Sequence, residues 1–152
     1  MNEHFITDLH SHILYGIDDG ADTIEESVQM LRMAEKQGVR NLFCTSHHWQ
    51  SAHADYEQNF TILKERVKSE GININLYMGM EILCENDRYF PETLRDIKNG
   101  TVKTLNNTDY VLLEMLPFMD AWDIYECVNA VFEQTGKIAV LAHVERYSVL
   151  CD

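Results

Sequence analysis

The amino-acid sequence predicts an α/β fold built on a mostly parallel sheet, open or curled into a barrel. Strand-like and helix-like segments alternate along the chain, the helical segments carry apolar stripes at 3.6-residue spacing, and glycines punctuate their ends. In sheets of this kind ligands gather at the carboxyl ends of the strands.

The elements follow in order. Phe5 to His10 (FITDLH) reads as a first strand. Thr23 opens a helix, with Glu26 completing a capping box, and Ile24, Val28, Leu31 and Ala34 share one face until Gly38 ends it. Asn41 to Ser46 (NLFCTS) is the second strand. Asp55 with Gln58 is placed to cap the next helix, whose stripe is Tyr56, Phe60, Leu63 and Val67, closed by Gly71. Ile72 to Leu83 contains a third strand, and a shorter helix follows with Pro91 in its first turn, ending near Gly100. Tyr110 to Met115 (YVLLEM) is the fourth strand. Asp120 opens a helix with Ile124, Val128 and Val131 on one face, stopping at Gly136, and Ile138 to His143 (IAVLAH) is the fifth strand.

A chain of 152 residues with 45% hydrophobic content is long enough for one domain with a real core, taken here as residues 1–152. No apolar run is long enough to span a bilayer, and Met1 to Asp8 lacks a basic, then apolar, leader pattern, so a cytoplasmic protein without membrane insertion is expected. The formal net charge of −13, from 25 acidic against 12 basic residues, disfavours nucleic-acid binding. It also opposes a phosphate-bearing substrate unless bound cations reverse the local field. The four cysteines lie far apart without a CxxC pair, which fits reduced thiols and neither a zinc ribbon nor a disulfide framework. A His-Cys-x5-Arg nucleophile is excluded, because Gln50, Phe90 and Glu133 stand where its arginine would follow Cys44, Cys84 and Cys127.

Metal-ligand types cluster at the predicted strand ends. Asp8, His10 and His12 alternate onto one face, roughly 6–7 Å apart at Cα for successive members, and two imidazoles at that spacing can converge on one ion. A lone HxH pair is more often two surface histidines. Here, however, the second strand ends at His47-His48, the third at Glu81, the fourth at Glu114 and the fifth at His143. Glu114 interrupts an apolar strand, where a carboxylate needs compensation by a cation or by an arginine such as Arg146. His4, His48 and His53 fall outside the pattern and are read as exposed or supporting residues. Imidazoles and carboxylates without thiolates suit zinc, manganese or iron. Two such ions about 3.5–4 Å apart can generate hydroxide and clamp an in-line displacement at phosphorus.

These blocks resemble a known family. DLHSHIL (Asp8 to Leu14) followed by GIDDGA (Gly16 to Ala21) is similar to the signature of PHP-type (polymerase-and-histidinol-phosphatase) bacterial protein-tyrosine phosphatases. These are the manganese-dependent CpsB/YwqE type of capsule and exopolysaccharide loci. TSHH (Thr45 to His48), GMEI (Gly79 to Ile82), TLNNTDYVLLEM (Thr104 to Met115) and AHVERY (Ala142 to Tyr147) match later blocks in order. The resemblance implies a distorted (β/α)7 barrel with two to three metal ions, manganese foremost with zinc or iron as alternatives. It makes His10, His12, His47, Glu81, Glu114 and His143 metal ligands, Arg146 a phosphate contact, and Asp8 and Asp19 residues that order the site. It further implies a phosphotyrosine substrate, such as the tyrosine-rich tail of a bacterial tyrosine kinase.

The chain departs from the family in two places. Val144 stands where proline is usual, and the sequence ends at Asp152 before the later Asp-x-His motif, so about five βα units and an incomplete barrel are expected. An unclosed barrel exposes IAVLAH as an edge that invites self-association. Two rival readings follow: a truncated, catalytically silent metal-binding or interaction module, and a histidinol-phosphate or other small-molecule PHP phosphatase.

Overall fold

The computed structural model describes residues 5–51, 55–84 and 90–150. They form two compact units, Met1–Met78 and Gly79–Asp152. His4 and His53 lie outside the described residues.

The first unit contains β1 (Ile6–Ser11), α1 (Ile24–Lys36), β2 (Val39–Cys44), a single-turn α2 (His48–Ser51), α3 (Tyr56–Ser69) and β3 (Asn75–Met78). Its sheet is parallel in the order β1-β2-β3, with Asp8 opposite Leu42 and Cys44 opposite Met78. The capping box of α1 is formed: the Glu26 N–H donates to Thr23 Oγ1 at 3.3 Å, and Glu26 Oε2 accepts the Thr23 N–H at 3.2 Å. Tyr56, Phe60, Leu63 and Val67 of α3 are all buried, as their spacing predicts. Val28 and Leu31 are the buried core of the α1 stripe, alongside Ser27, whose hydroxyl donates to the Ile13 carbonyl at 2.6 Å. Asp55 occupies the α3 N-cap without a side-chain hydrogen bond, so the expected cap is positional only.

The second unit contains β4 (Glu81–Cys84), α4 (Phe90–Asn99), β5 (Tyr110–Met115), α5 (Ala121–Thr135) and β6 (Ile138–Leu141). Its parallel sheet runs β4-β5-β6, placing Leu83 opposite Glu114 and Leu113 opposite Leu141. Asp120 caps α5 by accepting the Asp123 N–H at 2.8 Å, and Gly136 ends it in the left-handed region at φ 71°. Ile124, Cys127 and Val131 form its buried face, so Cys127 takes the place expected for Val128, which is half-buried.

Three expectations are corrected. The segment 72–83 holds two strands, not one: β3 ends at Met78, Gly79 and Met80 break the extended run, and β4 starts in the other sheet. Glu81 therefore opens a strand instead of ending one. His143 lies beyond β6, in the left-handed region at φ 51°, a conformation that costs a non-glycine residue energy and persists only when its surroundings impose it. No described helix is long and apolar enough to cross a membrane.

Candidate metal centre

In the first unit the site grows from the ends of β1 and β2. The Asp8 carboxylate turns back on its own strand and accepts the His10 N–H at 3.2 Å, ordering the backbone that presents His10. His10 Nδ1 lies 2.7 Å from the Thr45 hydroxyl, which also accepts the Ser11 N–H at 3.0 Å. Thr45 is wholly buried, so the first block is tied to the TSHH block by a side chain that sequence spacing did not single out.

His12 and His47 are brought together with Asp19, and their ligand atoms all lie within 4.8 Å of one another. Asp19 Oδ1 is 3.3 Å from His12 Nδ1 and 3.8 Å from His47 Nε2, while its side chain remains 77% exposed. The rings of His10 and His12 meet edge-on at 5.0 Å and those of His12 and His47 at 4.7 Å. His47 also stacks on Trp49 at 4.3 Å, a contact made possible by the short α2 turn. His48 begins that turn and is half-buried.

Asp18, not Asp19, is the buried member of the acidic pair. Its side chain is fully shielded, with Oδ2 2.9 Å from His12 Nδ1 and 2.8 Å from the His47 N–H. Burial opposes its ionisation, but the hydrogen bonds from His12, His47 and Gly20 and the charge of His12 together hold its carboxyl below the ordinary range. The turn beneath it is tight: the Ala21 N–H donates to the His12 carbonyl at 3.2 Å, and a Cβ on Gly20 would overlap that carbonyl.

In the second unit His143 Nε2 sits 3.0 Å from Glu81 Oε1 and 4.0 Å from Glu114 Oε1. The Glu81 side chain is 0% exposed. Tyr147 braces this group: its hydroxyl accepts the Met115 N–H at 2.9 Å and donates to the Ala142 carbonyl at 2.7 Å, linking the ends of β5 and β6. Burial raises the Tyr147 pKa, and the nearby charges of Glu114 and Glu81 add to that. Arg146 occupies an exposed turn over Val144–Arg146, and its guanidinium makes no ion pair among the described residues.

The donor chemistry fits a divalent cation. Ligands on one tetrahedral ion with bonds of about 2.0–2.1 Å lie roughly 3–3.5 Å apart. The His143 Nε2–Glu81 Oε1 separation falls in that range. Imidazole with carboxylate, and no thiolate, suits zinc, manganese or iron. Asp18, Thr45 and Tyr147 are the supporting residues that sequence reasoning missed. Each stood inside a quoted block, but its role depends on partners far along the chain.

The family model "Capsular polysaccharide synthesis, CpsB/CapC" matches residues 6–152. The chain is 32% identical over 148 residues to the tyrosine-protein phosphatase CpsB of Streptococcus agalactiae, covering 94% of this chain and 58% of the relative. It is 32% identical over 143 residues to the tyrosine-protein phosphatase YwqE of Bacillus subtilis (strain 168), covering 91% of this chain and 54% of that one. Among solved structures, it aligns with a chain from the crystal structures of YwqE from Bacillus subtilis and CpsB from Streptococcus pneumoniae, described as unique metal-dependent tyrosine phosphatases. That alignment has a TM-score of 0.75 at 27% identity, covering 93% of this chain and 56% of that chain. The chain thus spans a little over half the length of the relatives it matches.

Proposed function

The chain belongs to the CpsB/CapC capsular polysaccharide synthesis family, and we propose that it is a metal-dependent phosphatase acting on phosphotyrosine in proteins. The observation that carries this reading is the gathering of imidazoles and carboxylates, His12, His47 and Asp19 grouped in one unit and His143 Nε2 at a metal-ligand separation from Glu81 Oε1 in the other. The names of the similar proteins support the same chemistry.

In this reading His10, His12 and His47 of the first unit, and Glu81, Glu114 and His143 of the second, are metal ligands. Manganese is the first choice and zinc or iron the alternatives. When bound, such ions lower the pKa of water and neutralise phosphate charge. That positive field offsets the net charge of −13. Asp8 orders His10 from within β1, and Asp19 serves His12 and His47. The Arg146 guanidinium takes the non-bridging oxygens of the phosphate, a role suited to its planar fork of donors. The leaving phenolate has a pKa near 10 in free tyrosine, so the demand on a proton donor is modest. The fold we propose is the PHP-type (β/α)7 barrel, with the chain as one phosphoesterase domain. The proposed partner is a phosphotyrosine protein such as a bacterial tyrosine kinase tail, linked to capsule or exopolysaccharide regulation.

Manganese-stimulated release of phosphate from p-nitrophenyl phosphate and from phosphotyrosyl peptides, abolished by EDTA, is the expected result. Preference for histidinol phosphate over phosphotyrosyl peptides would overturn the substrate assignment. The rival reading is a metal-binding module without turnover. Metal analysis beside the activity assay separates the two, because bound metal with no phosphate release supports the silent module.

A further inference from the structure

Asp18 occupies an unusual position for an acidic residue in a glycine-rich turn. Its side chain is 0% exposed, and both of its oxygens are committed. Oδ1 accepts the Gly20 N–H at 3.2 Å; Oδ2 accepts the His47 N–H at 2.8 Å and lies 2.9 Å from His12 Nδ1. The three partners come from three places: the end of β1, the turn itself and the segment after β2. One carboxylate therefore joins the DLHSH, GIDDGA and TSHH blocks.

The chemistry of these contacts is directional. An ionised carboxylate only accepts hydrogen bonds, and each backbone N–H only donates. Oδ2 already takes the His47 N–H, so at 2.9 Å His12 Nδ1 must be the donor, and the lone pair of the neutral ring is left on Nε2. An asparagine at the same place cannot reproduce the set: its NH2 would face a backbone N–H whichever way the amide were turned. The site requires a carboxylate and not merely a polar side chain.

We propose that Asp18 is a positioning residue for metal binding: it selects the Nδ1–H tautomer of His12 and fixes the backbone carrying His47, so that both imidazoles are held ready before an ion arrives. This rests on the reading of His12 and His47 as metal ligands. A carboxylate behind a ligating histidine orients the ring and raises its basicity, and removing such a partner costs about 10–100-fold in affinity. Asp19, by contrast, is 77% exposed and reaches both rings from the solvent side. The two adjacent aspartates thus have separate jobs, Asp18 holding the rings and Asp19 facing the cation.

The test uses the 152-residue chain. Nitrogen-15 NMR of the metal-free protein, above the pH at which its imidazoles are protonated, is expected to show His12 with its proton on Nδ1. Calorimetric titration with Mn2+ is expected to show at least about tenfold weaker binding by Asp18→Asn than by the wild type, with Asp18→Glu recovering part of the loss. A wild-type His12 protonated on Nε2 overturns the proposal, and that measurement needs no variant to fold. Unaltered Mn2+ affinity in Asp18→Asn also overturns it. No Mn2+ binding by the wild type would overturn the metal reading itself, and the positioning role with it. Intact wild-type binding that Asp18→Asn leaves unchanged would remove the positioning role alone.

Discussion

Glu81 and His143 stand 62 positions apart in sequence yet meet at 3.0 Å, Oε1 to Nε2, with the glutamate side chain wholly shielded from water. A carboxylate removed from water is costly unless compensated, and Glu114 approaches the same imidazole nitrogen at 4.0 Å. A cation bound to this group relieves that cost and stabilises the folded chain. Adding Mn2+ to EDTA-treated protein is expected to raise its thermal midpoint, corresponding to about 2.7 kcal/mol at a hundredfold excess over Kd. Glu81→Gln should abolish the rise. A midpoint that ignores manganese, zinc and iron alike would count against the site.

Tyr147→Phe keeps the buried ring and removes only the hydroxyl. The Met115 N–H and the Ala142 carbonyl would each lose a bonding partner inside the protein. The expected loss is about 1–3 kcal/mol for leaving a buried polar group unsatisfied, measured by urea unfolding. Because the hydroxyl ties the end of β5 to the segment bearing His143, metal affinity should fall as well. Unchanged stability would mean that water takes over both contacts.

Gly20→Ala tests the turn that carries the paired aspartates. The added Cβ would overlap the His12 carbonyl, a backbone atom that cannot swing aside. Destabilisation should exceed about 3 kcal/mol, beyond the ordinary range for a point substitution. Gly71→Ala provides the contrast. Nothing lies within 4 Å of a Cβ there, so only the left-handed backbone at φ 66° is penalised. Circular dichroism and thermal unfolding of the two variants should differ clearly.

Thiol chemistry should be irrelevant to activity and visible in alkaline stability. Burial pushes the Cys44 thiol up to about 12, and burial with the charges of Asp123 and Glu126 pushes Cys127 up to about 11. Both therefore stay protonated at neutral pH, and alkylation should leave phosphate release intact whereas EDTA removes it. A raised folded-state pKa means that the unfolded chain releases the thiol proton first. Their contribution to stability is complete below the ordinary thiol value of 9.0 and is lost as pH rises toward 11 and 12. Denaturant midpoints measured from pH 8 upward should fall through that window, and Cys44→Ala should shallow the decline.

Arg146→Ala separates substrate contact from folding. The side chain is exposed and makes no ion pair among the described residues, so stability should stay within about 0.5 kcal/mol of the wild type. Manganese-dependent kcat/KM toward phosphotyrosyl peptides should drop by about 10–100-fold, the loss of a charge-assisted contact of about 1.5–3 kcal/mol. Arg146→Lys should recover only part, since lysine lacks the planar fork. Wild-type kinetics in Arg146→Ala would remove it from the phosphate site.

The sequence alone determined the parts that depend on near neighbours. Thr23 with Glu26, Asp120 and Gly136 mark helix ends through contacts within one turn, and the α3 stripe of Tyr56, Phe60, Leu63 and Val67 follows from helical period. Likewise His10, Glu114 and His143 could be set at or near the carboxyl ends of strand-like segments, which near-neighbour pattern marks out. Tertiary structure decided what rests on distant partners. The division of 72–83 between β3 and β4 depends on which sheet each half joins, and both halves look equally extended in sequence. Asp18 and Asp19 are chemically identical neighbours, and the His47 N–H, 29 positions away, joins His12 and Gly20 in making Asp18 the buried anchor. Tyr147 is likewise an ordinary tyrosine until Met115, 32 positions earlier, presents its N–H to the hydroxyl. Periodicity and capping are local properties, whereas burial of a polar atom depends on groups that only the folded chain brings within bonding distance.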